Sequence, residues 1–290
     1  VFYGISALIG AVTAVMISVN GGLTAVYGVF CATMIIHLVG TAAAFLVLRA
    51  RGMKLNLKTC GAPAWMYLGG AIGYFTSAFN NLSYGKISFT AIVALGLLGQ
   101  MATAFFIDTF GLFGMKKVPF RLSVLVGFVC AGLGVAVMLR GARLSARLAV
   151  AAAFAAGITL VLSRTVNAGL SRRIGGLQGS LVNHVVGLPI SVAAALAFGR
   201  AEPLFRGAGL SPKIWIYVGG AMGVLVVFLS NVTVPKVSAF RFAMLCFVGQ
   251  MATAALIDLG SGKTYPAAML GGTALVAAGV MGNLLLERRK

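Results

Sequence analysis

The stretch GQMATAFFID at residues 99–108 returns as GQMATAALID at residues 249–258. The chain therefore carries one structural unit twice. Displacement by 150 aligns much more than this string. Gly69-Gly70-Ala71-Ile72-Gly73 falls on Gly219-Gly220-Ala221-Met222-Gly223, Trp65 on Trp215, Asn81 on Asn231 and Lys86 on Lys236. From Gly69 to Asp108, 16 of 40 positions match their counterparts in Gly219 to Asp258. A second block, displaced by 147, sets Asn20-Gly21-Gly22-Leu23 on Asn167-Ala168-Gly169-Leu170 and His37 on His184. The halves are residues 1–147 and 148–290.

Composition fixes the class. With 60% hydrophobic and 9% charged residues and a mean hydropathy of +1.02, the chain has more apolar surface than a water-soluble domain can hide. It reads as an all-α polytopic membrane protein. Apolar runs of bilayer-crossing length fall near 2–19, 27–48, 62–82, 87–107 and 118–139, then 148–164, 176–198, 214–232, 237–257 and 266–286. Ten transmembrane helices in two sets of five are expected. Because five is odd, the second set enters from the opposite face, and the two are inverted repeats about an axis in the membrane plane. That arrangement suits alternating access, with substrate held near the midplane.

Basic residues orient the chain. Arg49, Arg51, Lys54, Lys58, Lys116, Lys117, Arg121, Arg164, Arg172, Arg173, Lys236, Arg241, Arg288, Arg289 and Lys290 fall on the side of the N-terminus. Lys86, Arg140, Arg143, Arg147, Arg200, Arg206, Lys213 and Lys263 fall on the other. The positive-inside rule then puts both termini in the cytoplasm. The net charge of +19 suits contact with anionic lipid headgroups. There is no soluble basic domain to bind nucleic acid. Cys31, Cys60, Cys130 and Cys246 show neither metal-ligand spacing nor a disulfide pattern, so they read as small packing residues. No metal and no cofactor is expected. No nucleophile or metal constellation of an intramembrane enzyme is present.

Polar side chains within spans must find partners or face a water-filled cavity. Gln100, Thr103 and Asp108 form one polar stripe on the fourth span, and Gln250, Thr253 and Asp258 repeat it on the ninth. The glutamines, near mid-span, suit ligand contact. The aspartates end their helices, where a carboxylate opposes the macrodipole and needs a partner. For Asp108 that partner is Lys116, Lys117 or the fifth span; for Asp258 it is Lys263 or the tenth. The alternative is proton or cation coupling. His37 and His184 lie mid-span, either satisfied by a neighbouring backbone or amide group or acting as a proton relay. Asn20 and Asn167 end their spans before glycine-containing stretches and read as turns, structural or gating. Trp65 and Trp215 start equivalent spans as interfacial anchors.

The Asn-Gly turn after the first span, the polar residue inside the second, the Asn of the third and the Gly-Gln with Ile-Asp eight residues on together resemble the YdcZ-like family of the drug/metabolite transporter superfamily. The resemblance covers nearly the whole chain, twice. It implies ten helices in a bacterial cytoplasmic membrane, in a fused form whose single chain completes the inverted pair. Small multidrug exporters of that superfamily use a first-helix glutamate, whereas Phe2 to Val19 holds no acidic residue. That departure argues against a first-helix carboxylate mechanism.

These readings converge on a secondary transporter that exports a small polar or amphipathic metabolite, with proton coupling. Asn81, Gln100, Thr103, Asn231, Gln250 and Thr253 are expected to bind substrate, and His37, Asp108, His184 and Asp258 to couple or gate. Besides substrate, membrane lipids are the expected partners, and the fused chain is expected to work as a monomer. A passive channel or lipid scramblase is the alternative.

Overall fold

The computed structural model describes residues 1–54, 61–118, 122–139, 146–260 and 267–288. Among them the chain forms ten α-helices and no β-sheet: α1 Phe2–Tyr27, α2 Val29–Ala50, α3 Gly69–Ser83, α4 Phe89–Phe110, α5 Leu122–Met138, α6 Arg147–Ile174, α7 Gly176–Phe198, α8 Gly219–Thr233, α9 Ala239–Gly260 and α10 Ala267–Arg288. Among the described residues seven segments are long and apolar enough to cross a membrane: α1, α2, α4, α6, α7, α9 and the stretch Ile214–Lys236 that contains α8. Large apolar side chains such as Phe45, Phe106 and Leu256 face outward, as lipid contact requires.

Of the remaining helices, α3 falls short as a single α-helix. The 15 residues of α3 reach about 22 Å at the α-helical rise, against a hydrocarbon core of about 30 Å. The 3₁₀ segment Ala64–Leu68 precedes α3 directly and adds about 10 Å at its longer rise per residue.

Two expectations are corrected here. Asn20 and Asn167 make no turn, because α1 and α6 run unbroken through both. The reversals fall at single glycines, Gly28 with φ 87° and Gly175 with φ 100°, a backbone conformation open to glycine alone at little cost. Asparagine favours turns when its amide has only local backbone to bond, and here the tertiary structure competes. Asn167 Nδ2 donates to Asn183 Oδ1 at 2.7 Å and to Ser163 Oγ at 3.2 Å. Asn20 packs its amide oxygen against the Cα of Gly219. The glycines that mimic a turn signal serve as packing surface, Gly21 beneath the Tyr84 ring and Gly22 beneath Trp215. The second correction is Arg164, which lies inside α6 and is buried. It does not count among the basic residues of the loops. Lys58, Arg121, Arg140, Arg143, Lys263, Arg289, Lys290 and Cys60 lie outside the described residues.

Helix packing repeats under exchange of the halves. α1 packs on α9 as α6 packs on α4, α3 on α6 as α8 on α1, and α2 on α8 as α7 on α3; α2 with α7, α4 with α9 and α5 with α10 are self-paired. Close approach at glycine makes this possible. Gly10 of α1 sits on the Cys246 carbonyl of α9, and its counterpart Gly157 of α6 sits on the Gly96 carbonyl of α4. A side chain at either position meets backbone, so these crossings are set by the absence of Cβ. The largest buried cluster centres on α4 and α9, with Leu97, Met101, Met244 and Phe247 at its middle.

Candidate functional site

Three levels of polar groups lie along the contact between the halves. The first is the crossing of α4 and α9. Gln100 and Gln250, each 2% exposed, converge on a cavity of about 20 Å³ lined also by Ile17, Asn80 and Leu160. That holds about one water. Gln100 Oε1 has no hydrogen-bond partner, so the glutamines form a polar patch closed to anything larger.

The second level is the crossing of α2 and α7, where the rings of His37 and His184 meet edge-on with centroids 5.9 Å apart. Each ring is accommodated by a glycine of the opposite helix, His37 by Gly187 and His184 by Gly40. His37 Nδ1 lies 2.9 Å from the Thr33 carbonyl oxygen, which holds that proton on Nδ1. Both ring nitrogens of His184 lack a partner. One half of the pair is thus anchored and the other is not.

The third level is helix ends. Asp108, closing α4, accepts from Ala239 N at 3.0 Å and Phe240 N at 2.8 Å, at the start of α9. Asp258, closing α9, accepts from Thr90 N at 2.9 Å and Thr90 Oγ1 at 2.6 Å, at the start of α4. Each carboxylate satisfies orphan amides and the positive dipole end of the equivalent helix in the other half. Capping was one of the roles expected of them. The helix each of them caps is its equivalent in the other half.

Two buried elements break the exchange. Arg164 is 6% exposed where α1 has Ile17; it stacks 5.4 Å over the Phe242 ring and reaches Thr13 Oγ1 at 3.4 Å. Among the described residues no carboxylate touches it. Glu202, in the α7–α8 connection, accepts from Phe30 N at 3.0 Å and Cys31 N at 2.7 Å and so caps α2. Beside it Tyr27 and Tyr217 share a hydrogen bond between their hydroxyls, and Ser211 N donates to both, at 2.8 and 2.9 Å. This seals the Gly28 end. At the Gly175 end a cavity of about 540 Å³ opens between α2, α7 and α8, with Arg51, Val47, Gly176, Gln178, Leu225 and Phe228 among its walls.

The family described as "Putative inner membrane exporter, YdcZ" matches the chain in two parts, residues 1–137 and 148–282. The chain belongs to the YdcZ family. Its membership and its apolar helices make it a multi-pass inner-membrane protein of the exporter type. No curated protein matches it. A solved crystal structure, described only as that of a protein, superimposes with a TM-score of 0.66 at 17% identity, covering 99% of this chain and 96% of the other. At that identity the likeness concerns the fold alone.

Within this YdcZ-family chain the six expected ligand residues divide. Gln100 and Gln250 come together. Asn81 and Asn231 lie elsewhere, Asn81 Nδ2 donating to Thr33 Oγ1 at 3.0 Å and Asn231 Nδ2 to the Gly176 carbonyl at 3.0 Å. Thr103 returns its hydroxyl to Gly99 of its own helix, and neither it nor Thr253 lines the glutamine cavity. Asn80, beside the expected Asn81, lines it instead. Glu202 and the Tyr27–Tyr217 pair were missed. For Glu202 one signal existed: it is one of only four acidic residues in the chain.

Proposed function

We propose that this protein is a secondary transporter that exports a small polar or amphipathic metabolite by alternating access. In this reading residues 1–147 and 148–290 are inverted five-helix repeats that cross the membrane ten times, with both termini cytoplasmic and the Gly175 end facing the cytoplasm. One observation carries it: equivalent helix ends of the two halves are in different states. The Gly28 end is sealed by Glu202, Tyr27 and Tyr217, while the Gly175 end holds the 540 Å³ cavity. A molecule whose halves exchange contacts can adopt the converse state, sealed at Gly175 and open at Gly28.

Substrate passes the closed glutamine contact of α4 and α9 when the state changes, and Gln100 and Gln250 are the groups it meets there. His37 and His184 couple protons, since His184 lies at the crossing of α2 and α7 with both nitrogens unpartnered. Asp108 and Asp258 keep the α4 and α9 ends together through that change. The fused chain works as a monomer in contact with membrane lipids.

The test is a pair of distance measurements by spin labels on protein in lipid nanodiscs, one between Val47→Cys and Leu225→Cys, the other between Thr24→Cys and Leu210→Cys. Under a proton gradient or added substrate, the first distance is expected to shorten as the second lengthens. Two distances that never move in opposite senses, with flux that no gradient drives uphill, establish a channel instead.

A further inference from the structure

The α1–α2 and α6–α7 turns are built alike and finished differently. Gly28 and Gly175 correspond, both have positive φ, and each starts a helix on the next residue. At α2 the free peptide N–H groups are closed by a carboxylate from elsewhere in the chain, that of Glu202. At α7 no side chain among the described residues accepts from the N–H groups of Gly176, Leu177 or Gln178. These three residues line the cavity of about 540 Å³, which is within the size range of small-molecule sites.

Two further features face the same space. Gln178 is nine-tenths buried, lines the cavity, and its Oε1 has no hydrogen-bond partner. Arg51 lines the cavity too and supplies a positive charge near a helix end that already favours anions. Opposite these polar groups the wall is apolar, formed by Val47, Leu225 and Phe228.

We propose that this cavity binds a small amphipathic carboxylate, whose carboxylate approaches the α7 N-terminus beside the Gln178 amide that packs over Gly175. A hydroxyl or amino group next to that carboxylate donates to Gln178 Oε1, Arg51 adds charge, and the apolar body of the ligand lies along Val47, Leu225 and Phe228. The inference rests on the transporter reading and gives its substrate class. Arg164 supports the same sign of charge from inside the bundle. It is buried, and Asp108, Glu202 and Asp258 cap helices elsewhere. A fixed interior cation favours passage of an anion and opposes that of a cation.

Calorimetric titration of the whole protein in phosphatidylcholine nanodiscs with 3-phenyllactate tests this. The controls are 3-phenylpropane-1,2-diol, which lacks the carboxylate, and lactate, which lacks the apolar body. Phenyllactate is expected to bind at least tenfold more tightly than either. Arg51→Gln should weaken it at least fivefold and Arg51→Lys should restore most of the loss, with thermal stability unchanged for both. Equal binding of the diol, or no effect of Arg51→Gln, overturns the proposal. Binding in phosphatidylcholine that vanishes in phosphatidylglycerol overturns the assignment to a solute in favour of a lipid headgroup. Equilibrium binding needs no transport, so binding without uphill flux defeats the transporter reading alone, and uphill flux without binding defeats this one alone.

Discussion

The Gly28 end and the Gly175 end are assembled from equivalent helices, yet one is finished with side chains and the other with a cavity. At the first, Glu202 closes the α2 amides, and the hydroxyls of Tyr27 and Tyr217 hold the loop that carries Gly209 and Ser211. At the second, Ser171 Oγ, Gln178 Oε1 and Asn231 Oδ1 are buried without partners, and Ser171 and Asn231 both press on Gly179. Buried polar atoms left unpaired are costly. Duplication thus supplies two copies of one frame, and divergence of a few residues decides which copy is closed. A transporter needs that inequality to be small enough to reverse.

The largest expected effect belongs to what the two ends share. Asp108→Ala and Asp258→Ala each strip a carboxylate from buried helix-start amides, and each should lower stability by about 3 kcal/mol, since charge-assisted bonds contribute more than neutral ones. Asparagine at either position keeps an acceptor and should recover part of the loss. Thermal unfolding in detergent measures this. A variant with an unchanged midpoint that alters the pH dependence of transport would move its aspartate from the frame to the coupling machinery.

Next is Arg164, which has no counterpart in the first half. Replacing a buried charge that touches no described carboxylate with a similar-sized apolar group removes a desolvation penalty that the Phe242 ring and the Thr13 hydroxyl offset only in part. Arg164→Leu is therefore expected to raise stability, by roughly 2 kcal/mol, while transport is lost. A stabilised and still active variant would show that the charge serves neither substrate nor fold.

Much of this frame is legible in the sequence. Repeated strings at displacements of 147 and 150 identify the duplication, because the glycines and asparagines that match are those the helix crossings use. The apolar runs place most helices within a few residues; the exceptions are the ends of α1 and α6, where glycine and asparagine mislead, and the starts of α3 and α8, which 3₁₀ segments delay. Asn20-Gly21-Gly22 reads as a turn because local chemistry permits one. The rings of Tyr84 and Trp215, which claim those glycines, come from 60 to 190 residues away. The same distance hides Glu202: a lone glutamate before a proline shows no preference for the α2 amides until the chain is folded. Among the polar residues expected at the site, the asparagines, glutamines, histidines and aspartates are buried, whereas Thr103 and Thr253 are half-buried. Which of them meet is decided by helix rotation, so Gln100 finds Gln250 while Asn81 finds Thr33.

Glu202 sharpens the comparison between the ends, because its effect should appear at one end only. Glu202→Gln keeps hydrogen-bond capacity but loses charge, and should cost about 1.5 kcal/mol. Its second readout is access. Cys31 is buried beneath the cap, so its alkylation by a membrane-permeant maleimide should accelerate several-fold. Cys246, buried at the packed crossing of α1 and α9, should react as before. Equal acceleration at both cysteines would mean that the variant loosens the whole bundle and that Glu202 is no end-specific seal.

The smallest effect tests whether the seal acts as a unit. Tyr27→Phe and Tyr217→Phe each remove one hydroxyl from a cluster in which Ser211 N donates to both hydroxyls. Each single change should cost about 1 kcal/mol. Because the remaining hydroxyl still accepts from Ser211, the double variant leaves that amide with no acceptor from this pair and should cost more than the sum, with a coupling of about 0.5 kcal/mol or greater. A strictly additive pair would place the closure of the Gly28 end in Glu202 alone, where one competing carboxylate releases it. A coupled pair makes the closure a small cooperative lock, which the Gly175 end has no equivalent of because Ile174 stands where Tyr27 does.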